Sequence, residues 1–143
     1  MAIGIAACAV GGGVLLSAGA PFYTGLSIPL VVIGIVQIMT GASVARRSDF
    51  QADDLEKLRA DSPAEFRRLE SARMEAVLRN FVRIKWLEVV FIVLGFAILL
   101  LNQELNFTKG LGVGLLSQGV VMLLFDIFAE KRGRAYEEFV KNQ

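Results

Sequence analysis

The sequence predicts an all-α membrane protein: four transmembrane helices in an up-down bundle, with a cytoplasmic amphipathic helical hairpin continuous with helix three. Three observations carry this expectation. Hydrophobic residues make up 55% of the 143 and the mean hydropathy is +0.56, whereas soluble domains hold roughly 45–50% apolar residues. Four apolar runs each approach the ~20 residues that cross a hydrocarbon core of about 30 Å. The stretch between the second and third runs is charged and amphipathic. The length suits a single membrane domain spanning 1–143.

The first run, about 2–20, carries no charge and is rich in small residues such as Gly4, Ala6, Ala7 and Gly11–Gly13. Ser17-Ala18-Gly19-Ala20 has the look of a signal-peptidase site. However, no basic residue precedes the run, and Pro21 would follow the cut. The run is therefore expected to be a retained span, packed closely through its small residues against another helix. Pro21–Gly25 is expected to be a turn bearing interfacial aromatics. Helix two should cover about 27–45, with Pro29 near its start, and stop at Arg46 and Arg47.

The hairpin is expected over about 48–85. Ser48 with Gln51 is a capping signature for a short helix to Ala60, with Leu55 and Leu58 on its apolar side. Ser62-Pro63-Ala64-Glu65 is a stronger signature for the long helix that follows, with Pro63 at its first position. Phe66, Leu69, Met74, Val77, Leu78 and Phe81 recur at spacings of three and four, an apolar stripe. The plain expectation is that the stripe packs within the hairpin. Its arginines could instead meet anionic headgroups, but Glu65, Glu70 and Glu75 oppose that. Trp86 marks entry into lipid. Helix three is then expected over about 86–102, a turn to Lys109, helix four over about 110–129, and a cytoplasmic tail over 130–143, with Tyr136 and Phe139 on its inner side. Gly110, Gly112, Gly114, Ser117 and Gly119 should let helix four approach its neighbours closely.

Orientation follows from counting bases. Ten Lys or Arg lie between Arg46 and Lys85 and four beyond Ala129, against Lys109 alone in the turn after helix three and none in the turn after helix one. By the positive-inside rule the hairpin and both termini face the cytoplasm of a bacterial-type inner membrane.

The chemistry-bearing residue types are sparse. Histidine is absent and Cys8 is the single cysteine. No disulfide framework, His-based metal site or His-activated nucleophile is expected, so neither an enzyme nor a cofactor is. Fifteen bases interleaved with fourteen acids do not make the one-sided patch of a nucleic-acid binder. Ionisable and amide side chains inside spans are the default candidates, because hydrocarbon makes them costly. These are Gln37, Glu88, Gln118 and Asp126. Antiparallel helices three and four would set Glu88 and Asp126 at one depth. The blander reading pairs Glu88 with Lys85 three residues back, leaves Asp126 hydrated near Glu130 and Arg132, and makes the two glutamines interhelical glue.

Two functional expectations follow. The first is a non-enzymatic protein that holds a protein partner through its cytoplasmic helices, with Phe66, Leu69, Met74, Val77 and Phe81 as the binding stripe. An immunity protein against a membrane-targeting toxin is one concrete form, and an assembly or regulatory subunit of a membrane complex is a close relative of it. The second is a homo-oligomeric channel or small transporter with Gln37, Glu88, Gln118 and Asp126 along its path.

Overall fold

The computed structural model describes residues 1–17 and 19–142, with side chains at all of these except 17, 44–45 and 47–56. The protein is 92% helical, without strands among the described residues. Its helices are α1 (Ala2–Ser17), α2 (Pro21–Asp61), α3 (Pro63–Leu101) and α4 (Phe107–Lys141). Three of them are long and apolar enough to cross a membrane. Only 11% of the apolar window of α3 and 22% of those of α2 and α4 are buried within the protein, so these surfaces need a hydrophobic solvent. At 16 residues, α1 spans about 24 Å at ~1.5 Å per residue and is a shorter apolar helix.

The expected boundaries change in a consistent direction: the helices are longer and the breaks fewer. Pro21 takes the first helical position, so Pro21–Gly25 opens α2 instead of forming a turn. Arg46 and Arg47 do not stop α2, which continues through the 48–60 segment as one helix of 41 residues, about 60 Å long. A charge marks where a membrane can end, but it is no obstacle to i→i−4 hydrogen bonding. Between Ser43 and Asp61 there is neither Gly nor Pro to interrupt it. The Ser48–Gln51 signature therefore starts no new helix, and its side chains lie outside the described residues, as do Leu55 and, in the cleavage-like motif, Ala18. The tail of α4 likewise runs on unbroken to Lys141.

A single residue turns the chain between α2 and α3. Ser62 donates its backbone N–H to the Leu58 carbonyl at 2.9 Å and accepts from the Phe66 N–H at 3.0 Å, closing one helix and opening the next. Its side chain makes no cap bond, so the expected capping box with Glu65 does not form. The backbone angles demanded by this corner (φ −148°, ψ 83°) serve both helices at once. At the far end Asn106 does cap α4, accepting from the Lys109 N–H at 2.9 Å.

In space the helices form an open row, α1–α2–α4–α3, with only light contact between α2 and α3. A closed four-helix ring is not made, because α1 packs on α2 rather than bridging to α3. Glycines set this order. An added Cβ at Gly110 would lie 1.9 Å from the Phe22 carbonyl oxygen, and one at Gly25 would lie 2.0 Å from that of Phe107. Here α2 and α4 run parallel with their backbones in contact, a spacing that only small residues permit. Two residues on, Gly112 turns to the opposite face of α4 and meets Gly95 of antiparallel α3, where a Cβ on Gly95 would be 2.7 Å from the Gly112 oxygen. In the same way Gly4 of α1 abuts Gly34 of α2. Small residues thus seat all three interfaces, as the composition anticipates. Gly12 is an exception: an added Cβ there meets nothing within 4 Å.

Beyond the apolar windows, α3 and α4 continue side by side as a charged stalk. Phe66, Glu70, Met74 and Leu78, each four residues apart, are buried. This ridge faces α4, where Gly133 lies against Leu78 and Met74 and Val140 is buried. Among the described residues the buried part of the stripe therefore packs on α4. From the end of α2, the Arg59 guanidinium sits 6.0 Å from the Phe66 ring centroid. On the tail, Phe139 stands exposed, contrary to the inner side expected for it, whereas Tyr136, exposed in part, turns its hydroxyl to Glu70 of α3. Glu70 is closed in completely and accepts from Arg73 at 2.5 and 2.8 Å. The Arg73 hydrogen bonds hold its carboxyl below the usual carboxylate range against the opposing effect of burial.

Candidate functional site

The polar residues inside the spans gather where α2, α4 and α3 pack together. Gln118, buried on α4, donates its side-chain amide to the Gln37 side-chain oxygen of α2 at 3.2 Å. This bond ties the parallel pair through groups that would otherwise be unsatisfied in hydrocarbon. About two turns further along α4, Asp126 stands beside Glu88 of α3. Antiparallel packing places them at one level, as the helix count suggested.

Glu88 is the unusual member. It is fully buried, and neither of its carboxylate oxygens meets a basic or amide donor among the described residues; the group within hydrogen-bonding reach is the Asp126 carboxyl. The cation expected to pair with it, Lys85, turns instead across the interface to Glu130 of α4. Glu130 also accepts from Arg134 at 2.6 and 3.0 Å. Two bases thus converge on Glu130, whereas no salt bridge reaches Glu88 or Asp126 among the described residues. A carboxylate left this way inside a protein ordinarily costs several kcal/mol relative to one with donors.

Asp126 connects the acid pair to a groove of about 320 Å³. The groove lies beside the light α2–α3 contact, and the N-terminal end of α1 edges it through Met1 and Ile3. Gln37, Thr40 and Asp126 are its polar members; Val36, Leu87, Met122 and Phe125 contribute apolar wall. Of the four intramembrane residues singled out from the sequence, Gln37 and Asp126 therefore reach one groove, with Gln118 and Glu88 bonded or adjacent behind them. Thr40 and Phe125 were not foreseen. A Thr in a span and a Phe beside an acid are common, and only the groove singles them out. The Lys85–Glu130 link was legible in principle, since an antiparallel register through Glu88 and Asp126 brings those two opposite each other.

The sequence-derived partner stripe divides. Phe66 and Met74 are buried inside the protein, Val77 and Phe81 are half-buried, and Leu69 is exposed. As a set these five do not form one free face. No protein-family model, curated protein or solved structure matches this chain.

Proposed function

We propose that the protein is a small multi-pass membrane transporter or channel, assembled from copies of this chain, that moves a cation past the Glu88–Asp126 pair. One observation carries the reading: a completely buried carboxyl that meets no base, paired with a second acid, with the neighbouring lysine engaged elsewhere. An ionisable group in a span is retained at a cost, and it commonly marks an ion or substrate path. Two adjacent acids without a paired base form a site that a cation or proton complements. The basic stalk sets the orientation, with both termini and the stalk on the cytoplasmic side. In this scheme α1 is the fourth span, fitted by local thinning or by its neighbour α2.

The test is cation flux into liposomes holding the purified protein. Asp126→Asn and Glu88→Gln should each lower flux at least tenfold, and Glu75→Gln on the stalk should leave it unchanged. Equal flux in all three variants would defeat the reading.

A second reading keeps the stalk as a docking element for a protein partner. It rests on Leu69 and Phe139, which the packing of α3 on α4 leaves exposed. The particle extracted in mild detergent separates the two. The transport reading expects a homo-oligomer alone, and a stoichiometric foreign protein would favour the docking reading.

A further inference from the structure

We propose that the groove at Asp126 binds a lipophilic organic cation, a monovalent ion whose charge sits in an apolar or aromatic body. This rests on the transport reading above and names its substrate class. The groove's size of about 320 Å³ falls at the lower end of small-molecule sites, roughly 300–1,000 Å³, and is far more than a bare metal ion occupies.

Its chemistry points the same way. An inorganic cation sheds its water only where several oxygens replace it, about six to eight for Ca²⁺. The wall does not offer such a set. Its side-chain oxygens are those of Thr40, Gln37 and Asp126, and the Gln37 oxygen is shared with the Gln118 amide, a smaller set than such an ion takes. Asp126 remains as the one acid on the wall, backed by buried Glu88. A single carboxylate amid Val36, Leu87, Met122 and Phe125 suits a weakly hydrated charge carried on an apolar frame. Phe125 adds an aromatic face to the same wall, which attracts such cations through its ring quadrupole. Charged groups near the pair include Lys85 of α3 and Glu130 of α4, and Met1, with the chain's terminal ammonium, edges the groove. Lys85 is held by Glu130, so the acids are free to balance a ligand's charge.

The test is equilibrium dialysis of tetraphenylphosphonium against the full-length protein in detergent, with empty micelles as background. The expected result is saturable binding that weakens at least tenfold in Asp126→Asn. Val36→Trp, which fills the groove with both acids intact, should weaken it equally. The uncharged triphenylphosphine oxide should not compete. Binding within threefold of the unaltered protein in Asp126→Asn, or equal competition by the neutral analogue, would overturn the proposal. So would displacement of the probe by phosphatidylethanolamine in vesicles, which would assign the groove to a lipid amine. Absence of probe binding alongside Asp126-dependent flux of an inorganic cation or proton would overturn this inference alone. Absence of any Asp126-dependent flux would remove the transport reading as well.

Discussion

Gly110→Leu is expected to separate α2 from α4 and to lower the unfolding free energy in mild detergent by about 3 kcal/mol, the upper end of what overpacking commonly costs. The reason lies in what the new side chain would meet. Its Cβ alone would fall 1.9 Å from the Phe22 carbonyl oxygen and 2.9 Å from the Leu26 nitrogen. Both are backbone atoms of a hydrogen-bonded helix, so neither can rotate aside. The helices would have to move apart, and the Gln37–Gln118 bond at 3.2 Å would open with them. The crossing is reciprocal, so Gly25→Leu should behave alike. Gly12→Ala is the control, since its Cβ enters open space. It should be neutral or stabilising by a few tenths of a kcal/mol, in line with the better helix propensity of Ala. Thermal or denaturant unfolding of the three variants checks the ranking. If Gly110→Leu unfolds with the parent protein, the close α2–α4 contact is not what orders the helices.

Glu88→Gln is expected to do the opposite, raising stability by about 1–3 kcal/mol, the scale of relieving one buried unsatisfied polar group. Gln matches Glu in shape, so packing is preserved. Its amide can donate to the Asp126 carboxylate, and the change removes one of two adjacent acidic groups. The same variant should lose flux, so stability and activity would move in opposite directions, a common mark of a functional site held at some cost to the fold. Denaturation in detergent measures the first quantity and liposome flux the second. A destabilised Glu88→Gln would mean that the carboxylate holds α3 to α4, and the site would then be structural.

Much of this architecture is legible without coordinates. Four apolar runs, the Ser62-Pro63 corner, the glycines of the first and last runs and the lopsided distribution of bases all lie in single segments. Each acts through local hydropathy, turn chemistry or residue size. The helix boundaries were less legible, and Arg46 and Arg47 show why. Hydropathy reports where lipid ends, whereas helix continuity depends on backbone hydrogen bonds that Arg, Asp, Glu and Lys support as readily as Leu does.

The sequence by itself determined the helices, their apolar lengths, their small-residue faces and the polar residues that needed an explanation. Only the tertiary structure decided which faces meet. It placed α4 between α2 and α3 through glycines on its two faces, and it gave the stripe of Phe66 and Met74 to α4. It also joined Lys85 to Glu130 across 45 residues of chain instead of to Glu88 three residues away. Local spacing permits both pairings at similar small energies. The choice falls to the long-range register of α3 on α4, a property of two surfaces together that neither helix encodes alone. That register is also what leaves Glu88 buried beside Asp126 without a base.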